Sequence, residues 1–257
     1  MKKRHIFSLI FSCLMVTQVN AKNKLSFDQT LSISSNKAHS FFADVGAGSL
    51  QIRGAHVDTI SVNATVYSEK YHDIEELREV FNDKVLLTLV KKGSTIELKA
   101  MVKRGRWLSF KDPEIAIDLD IIVPTDLNIE IDDGSGSLQV VDIEGNLEID
   151  DGSGSMTINN IGGDVLIDDG SGNLKLSTVA GNVNIDDGSG NLILNDISGD
   201  VFIDDGSGVV NIDGVRGNVT IDDSSGSINI YQLAGHFNLI DDGSGNVMVN
   251  GRKWQRD

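Results

Sequence analysis

The sequence contains very little cysteine, proline and aromatic residue. Its 257 residues include one cysteine, two prolines and 5% aromatic side chains. One cysteine cannot form an intramolecular disulfide, so a disulfide-stapled fold is excluded. No run of about 18 apolar residues follows the N-terminus, so the sequence predicts no transmembrane segment in the mature chain.

Motifs for catalysis are also missing. There is no Gly-x-Ser-x-Gly elbow, no His-Glu-x-x-His and no phosphate-binding loop. The histidines form no pair at metal-ligand spacing: His5, His39, His56, His72 and His236. We therefore expect a protein that is not an enzyme, with no catalytic or cofactor-binding residues.

Basic residues are outnumbered. The chain has 22 Lys and Arg against 38 Asp and Glu, a net charge of −16. This balance disfavours nucleic acid as a partner, because both would be negatively charged. It favours cations, basic partners, or solubility alone.

The N-terminus has the pattern of a secretory signal. Lys2, Lys3 and Arg4 precede the mostly apolar stretch 6–16, and cleavage after Ala21 fits the small-residue rule. We predict a signal peptide over 1–21 and an exported protein of the periplasm, cell envelope or extracellular space. Cys13 lies inside this signal, so the mature chain would have no cysteine.

The second half of the chain repeats one pentapeptide, Asp-Asp-Gly-Ser-Gly, once as Asp-Asp-Ser-Ser-Gly. Its starts are 18 residues apart, except for a last step of 19: Asp132, Asp150, Asp168, Asp186, Asp204, Asp222 and Asp241. A fixed period is the signature of a repeat architecture. Within each unit, apolar residues alternate with polar ones on either side of the turn, which predicts two short strands. Each unit is one coil of a solenoid.

Stacked coils place equivalent residues above one another. The stack would form aliphatic columns, one of Leu138, Met156, Leu174, Leu192, Val210, Ile228 and Val247, another of Ile149, Ile167, Ile185, Ile203 and Ile221. No single coil can bury these side chains, but a stack can. We predict an all-β, parallel β-helix-like solenoid with regular coils over 127–250 and a basic tail over 251–257.

Residues 22–126 are less regular. The segment Gly46–Gly54 repeats the coils' pattern of glycine, serine and alternating apolar residues, which predicts a degenerate first coil. Ile74, Leu77 and Phe81 share one helical face, which predicts a short helix over about 71–82. Strands over 85–90 and 95–102, joined at Gly93, predict a hairpin, and a further strand ends at Pro124.

These features resemble the putative-adhesin β-strand-repeat proteins of bacterial envelopes, a family without established biochemistry. The resemblance covers about residues 40–250 and depends on the first coil at Gly48–Gly54, the strand into Pro124, and the serial coils. It implies an exported solenoid with an envelope or surface role, and it supplies no catalytic residues. This chain differs in having the double Asp in every unit.

The repeated aspartates are the candidate site. Their 14 carboxylates line one edge of the stack: Asp132, Asp133, Asp150, Asp151, Asp168, Asp169, Asp186, Asp187, Asp204, Asp205, Asp222, Asp223, Asp241 and Asp242. Because Ile149 points inward, we expect Asp150 to point outward and Asp151 to sit at the corner. The carboxylates could be solvated, bonded to turn amides, or bridged by calcium. The other corner of each coil, at Gly145 and its equivalents, is expected to carry no acid column.

The sequence thus favours an exported, non-enzymatic, adhesin-like scaffold. One alternative is a calcium-binding module that uses the aspartate turns. Another is an envelope-stress sensor that binds a peptide or protein, with the outward Leu166 and Phe202 in the contact surface. Self-association is a further open possibility.

Overall fold

The computed structural model describes residues 24–103 and 114–254; the predicted signal peptide, with Cys13, lies outside them. The described residues form one helix and twenty strands. The N-terminal elements are β1 (Leu25–Ser34), β2 (Ser40–Ala55), β3 (Thr59–Ser68), α1 (Ile74–Lys84), β4 (Val85–Lys92), β5 (Thr95–Val102) and β6 (Ala116–Pro124).

The solenoid strands follow in pairs. They are β7 (Asn128–Ile143), β8 (Leu147–Asp151), β9 (Gly154–Ile161), β10 (Val165–Asp169), β11 (Gly172–Val179), β12 (Val183–Asp187), β13 (Gly190–Ile197), β14 (Val201–Asp205), β15 (Gly208–Val215), β16 (Val219–Asp223), β17 (Gly226–Leu233), β18 (Phe237–Leu239), β19 (Val247–Val249) and β20 (Arg252–Lys253).

The repeats stack as a parallel β-solenoid, which confirms the predicted fold. The even-numbered strands from β8 to β18 form one parallel sheet, in which each strand pairs with the next and β8 pairs with the first half of β7. The odd-numbered strands from β9 to β19 form a second such sheet, which begins on the second half of β7. Ile167 is paired with Ile149 and Ile185, so the register is one 18-residue coil. Equivalent residues therefore lie about 4.8 Å apart.

The aliphatic columns form the core. Every member of the two predicted columns is at most 5% exposed. The burial of β10 alternates along Val165–Asp169, with Val165 and Ile167 inside and Leu166 outside. Burial of apolar area on this scale supplies the main stabilisation, at roughly 25 cal/mol per Å².

The first coil is built by β2, as its sequence predicts. Gly48 is paired with Gly136 and Leu50 with Leu138, in parallel. Strands β3, β4, β5 and β6 close this end of the stack, with β4 and β5 forming the predicted antiparallel hairpin. The helix spans Ile74–Lys84, so it begins about three residues and ends about two residues later than predicted. Asp73 caps its start, and the Asp73 carboxylate accepts hydrogen bonds from the Glu75 and Glu76 amides.

The last coil is less regular. The extra residue in the 19-residue step leaves Ile240 46% exposed, and β18 is three residues long. β20 folds back antiparallel on β19, and the Trp254 ring packs edge-on against Phe237 at 5.6 Å between centroids. The start of the basic tail thus covers the end of the core. Among the described residues, no helix is long and apolar enough to cross a membrane.

Candidate functional site: two aspartate ladders

The double aspartates form two parallel ladders. The first Asp of each pair makes the outer Asp ladder: Asp132, Asp150, Asp168, Asp186, Asp204 and Asp222. The second makes the inner Asp ladder: Asp133, Asp151, Asp169, Asp187, Asp205 and Asp223. Both are in register through consecutive coils, since Asp168 pairs with Asp186 and Asp169 with Asp187.

The inner Asp ladder corrects the expectation that the second aspartate sits at the corner. Its members are 0 to 2% exposed and point into the core. From Asp151 to Asp223 each is the last residue of its strand, whereas Asp133 lies within β7. The alternation that places Ile149 inside and Asp150 outside continues for one more position to Asp151. The column starts below Val45 of the first coil, which is paired with Asp133.

One carboxylate oxygen of each inner aspartate holds the turn. Oδ1 accepts a hydrogen bond from the backbone amide of the turn serine, at 3.2 Å from Ser135 to Asp133 and 3.0 Å from Ser171 to Asp169. The same bond recurs at Asp151, Asp187 and Asp205. An aspartate that bonds the amide two residues later is a common turn-former, and this accounts for its position before Gly-Ser.

The other oxygen has no protein partner. Oδ2 of every inner aspartate is buried and accepts no hydrogen bond, and at Asp223 Oδ1 shares this state. In that coil Ser224 replaces the first glycine of the turn. The Ser225 amide faces the Asp223 carboxylate and favours its charged form, but it does not reach good hydrogen-bond geometry. A buried, unpartnered carboxylate oxygen costs free energy.

The pKa of each inner carboxyl is raised for this reason. Burial is the largest cause throughout, and it raises the pKa of Asp133 and Asp169 to about 6 and that of Asp205 to about 7. The neighbouring inner aspartates are the next cause at these three positions. The pKa values of Asp151, Asp187 and Asp223 are also raised by burial, and the serine amides oppose the shift.

The outer Asp ladder borders a groove. Its members are exposed or, at Asp222, half-exposed. The facing wall is a ridge of outward side chains on the same strands: Glu130, Glu148, Leu166, Asn184, Phe202 and Thr220. Leu166 is 43% and Phe202 41% exposed. The groove between ladder and ridge runs from Phe42 to Asp204, and none of the described residues that line it is Lys or Arg.

A single ion pair stands at the head of the outer Asp ladder. Asp44 of β2 is paired with Asp132 and bonds the Lys99 ammonium. Burial, then Asp44 and Asp150, raise the pKa of Asp132. Asp204 shows the same effect from burial and its two neighbours in the ladder. At these two positions burial and the neighbouring carboxylates together favour the protonated form.

The predicted metal set is divided by the fold. Twelve of the 14 carboxylates separate into the two ladders, while Asp241 and Asp242 lie in the irregular last coil, where Asp241 caps the Asp242 and Gly243 amides. No group of three or more His, Cys, Asp or Glu side chains within the described ranges is arranged to hold a metal ion. Calcium binding stays a prediction.

The opposite corner contains a ladder that sequence reasoning missed. Alternating Asn and Asp each accept a hydrogen bond from the backbone amide one coil later, as in Asp164 to Asn146 at 2.9 Å and Asn182 to Asp164 at 2.7 Å. Asp200 and Asn218 continue it. The prediction of no acid column at this corner overlooked this mixed ladder, in which Asn182 separates Asp164 from Asp200. The signal in the sequence is an Asn or Asp after each corner glycine from Gly145 to Gly217, at period 18.

Several solved structures are similar to this chain. A putative adhesin from Parabacteroides distasonis matches over 88% of this chain and 97% of its own, at TM-score 0.50 and 13% identity. A putative cell adhesion protein from Clostridium sporogenes covers 88% of this chain and 99% of its own at TM-score 0.37 and 12% identity. A putative adhesin from Bacteroides fragilis covers 89% and 98%, at 0.37 and 14%.

At these identities the likeness shows the fold alone. The resemblance to adhesin-like repeat proteins is confirmed at that level by the Parabacteroides structure. No protein-family model matches the sequence, and no curated protein does. The class that the fold and ladders define is therefore a parallel β-solenoid with an acidic flank.

Proposed function

We propose that this chain is an exported, adhesin-like scaffold that binds a basic protein segment along its acidic groove and performs no catalysis. A regular array has no unique position for a catalytic constellation, whereas it offers one continuous surface. The fold shared with proteins described as adhesins supports a binding role. The predicted signal peptide supports export.

The groove is the observation that carries this proposal. One wall presents the carboxylates of Asp132, Asp150, Asp168, Asp186 and Asp204, and the ridge adds those of Glu130 and Glu148. These acids converge without a basic residue among the described lining. Leu166 and Phe202 supply exposed apolar area on the ridge, two coils apart. The complementary partner has basic side chains beside apolar ones.

An extended polypeptide fits this surface best. The groove extends along five coils from Asp132 to Asp204, and Asn184 lies between its exposed apolar side chains, Leu166 and Phe202. A strand or extended segment presents successive side chains to opposite sides. One side can then place Lys or Arg against the outer Asp ladder while aliphatic residues contact the ridge. Charge complementarity of this kind mainly raises association rate and specificity.

A model peptide tests the surface directly. We expect the mature protein to bind a labelled peptide of alternating Lys and Leu in fluorescence anisotropy, more weakly as sodium chloride rises. The double variant Leu166→Ser with Phe202→Ser should weaken binding about tenfold, since it removes the two exposed apolar side chains that the peptide would cover. Ile193→Ser is the matched control, because Ile193 is equally exposed, at 40%, on the other face.

Two results would contradict this assignment. Equal weakening by Ile193→Ser would mean that the peptide adheres without using the groove. Undiminished binding after neutralising Asp150, Asp168 and Asp186 to Asn would remove the charge argument.

Export has its own test. The N-terminal residue of protein recovered from the cell-envelope fraction should be Lys22. Recovery in the cytoplasm with an intact N-terminus would contradict export without affecting the groove assignment.

A further inference from the structure

The inner Asp ladder presents an electrostatic problem that the fold must solve. Six carboxyl groups lie in one column within an aliphatic core, each at most 2% exposed. All six have an Oδ2 atom without a partner. Burial disfavours the charged form of a carboxyl, and a like charge in the next coil disfavours it further. Six ionised carboxylates in this column are not a stable arrangement.

A small number of bound protons can give every unpartnered Oδ2 atom of the column a hydrogen-bond partner. A proton on the Oδ2 of one aspartate converts it to a donor, and the Oδ2 of the aspartate in the next coil is an acceptor. One proton therefore serves two unpartnered oxygens and removes one charge. Six such oxygens in a row need three protons.

The spacing of the coils allows equivalent side chains of neighbouring coils to form hydrogen bonds with each other. At other in-register positions, Asn191 Nδ2 donates to Asn173 Oδ1 at 2.9 Å, and Asn160 Nδ2 donates to Asp142 Oδ1 at 2.7 Å. Both bonds join residues one coil apart. A carboxyl has the same shape as an asparagine amide, so a protonated aspartate can make the equivalent bond.

We propose that the inner Asp ladder is a proton-binding column, which holds about three protons shared between neighbouring carboxyls at mildly acidic pH and weakens the stack as they leave. This property concerns the stability of the scaffold and is independent of what the outer groove binds.

The electrostatic environment favours protonation of the whole column. Burial is the first cause that raises the pKa of all six inner carboxyls. Neighbouring inner carboxyls are the second cause at Asp133, Asp169 and Asp205. The outer aspartate of the same coil adds to the effect at all three. Asp242 acts on Asp223 at the far end. At the near end Asp133 faces Val45, Ala100 and Ile117, which carry no charge.

Protons fit the column better than a metal ion does. Each gap between coils offers two carboxyl groups, and the described residues provide no cluster of three acidic or His side chains for a metal. The Asp187 Oδ2 atom also lies close to the backbone of Gly190, since a Cβ built on this glycine would be 3.4 Å from it. Hard divalent cations need six to eight oxygen ligands at short distance.

The direction of the pH effect follows from linkage. Because the pKa values are higher in the folded chain than in the unfolded one, the folded chain binds more protons between about pH 4 and pH 7. Stability must then fall as pH rises across this interval. Most proteins with salt-bridged carboxylates behave in the opposite way, losing stability as pH falls.

The experiment compares two triple variants of the mature chain. The inner variant carries Asp133→Asn, Asp169→Asn and Asp205→Asn, and its amides imitate the protonated acids. The outer variant carries Asp132→Asn, Asp168→Asn and Asp204→Asn and removes the same charge one residue away. Melting temperatures are measured from pH 5 to pH 8 at constant ionic strength.

We expect the wild-type melting temperature to fall by more than about 5 °C from pH 5 to pH 8, and the outer variant to fall similarly. The inner variant should change little and melt higher than wild type at pH 8. A flat or rising wild-type profile, or equal behaviour of the two variants, would overturn the proposal.

Two further measurements keep the outcome decisive. Carbon-13 NMR of the aspartate carboxyls in the wild-type protein should count about three protonated groups at pH 5, and it applies even if the inner variant does not fold. A count of zero would refute proton sharing. Calcium or potassium chloride at pH 8 should raise the melting temperature no more than sodium chloride of equal ionic strength; a larger rise that the inner variant lacks would assign the column to a cation instead.

Discussion

Replacement of the last glycine of a turn should be far more damaging than replacement of the first. Gly190 has φ +159°, and a Cβ built on it would lie 1.5 Å from the Gly172 carbonyl oxygen of the preceding coil. Ordinary contact begins near 3.4 Å, so the coils would have to separate by about 2 Å at this point. Gly190→Ala therefore strains both its own backbone and the stacking.

The magnitude can be estimated from the two terms. A side chain forced into this glycine-only backbone region costs about 1–3 kcal/mol. The inter-coil hydrogen bonds next to the contact, Gly172 N–H to Ser189 O and Gly190 N–H to Ser207 O, are both 2.9 Å and are worth about 1 kcal/mol each. We expect Gly190→Ala to lower the free energy of unfolding by about 3–5 kcal/mol.

Gly188→Ala is the matched control. Gly188 does not have positive φ, although a Cβ there would lie 2.5 Å from the Gly170 carbonyl oxygen. The chain itself shows that this contact can relax, because Ser224 occupies the equivalent position and keeps its bond to the Asp205 carbonyl at 2.9 Å. We expect a loss of about 1 kcal/mol.

Urea unfolding of the mature protein, followed by circular dichroism, measures both losses. Equal losses for the two alanine variants, or a smaller loss for Gly190→Ala, would refute the reasoning from coil contact.

Three further outcomes are expected. Ile185→Asp should lower the free energy of unfolding by several kcal/mol, because it buries an unpaired charge beside the inner Asp ladder. Its control is Asn184→Asp on the ridge, which should change this free energy by less than about 0.5 kcal/mol in the same urea assay. Thr178→Asn should stabilise by about 1 kcal/mol, because Thr178 has φ 58° and Asn160 occupies the same position of its coil; no gain in melting temperature would contradict this. Calcium at low millimolar concentration should raise the melting temperature no more than ionic strength predicts, whereas an excess that Asn substitution of the outer Asp ladder abolishes would establish calcium binding there.

The period of the sequence was sufficient to predict the stack and its register. Equivalent residues such as Ile167 and Ile185 had to share a column once the 18-residue repeat was recognised, and alternation fixed which side chains point inward. The first coil is predictable because Gly48 and Leu50 preserve the sequence pattern of the later coils. These features follow from local rules that hold in every unit.

The missed features depend on contacts between coils. The hydrogen bond from one coil to the Asn or Asp of the preceding one exists only after stacking, so Asn146 and Asp164 appeared to be ordinary turn residues. The irregular last coil also escaped prediction. The sequence shows the 19-residue step, but it does not show that Ile240 would be the side chain left outside.

The inner Asp ladder was misjudged because two reliable rules disagree there. Alternation from Ile149 places Asp151 inside, whereas the cost of burying a carboxylate places it at a solvated corner. For an isolated aspartate the second rule normally wins. In a stack, the serine amide of the turn satisfies Oδ1 in each of five coils, which lowers the cost of the inward position.

Repetition changes what such a residue can do. A single buried aspartate would titrate alone, and its protonated oxygen would have no acceptor. Six copies at one register give each member a neighbour of identical chemistry on the next coil, so that a proton bound to one relieves both. The same repetition exposes the outer Asp ladder as a row of equivalent charges along a groove. One double aspartate per coil thus gives the solenoid a buried column and an exposed one. We propose that the buried column binds protons and governs stability and that the exposed one binds a basic partner. Substitutions at adjacent residues such as Asp169 and Asp168 should then separate the two effects.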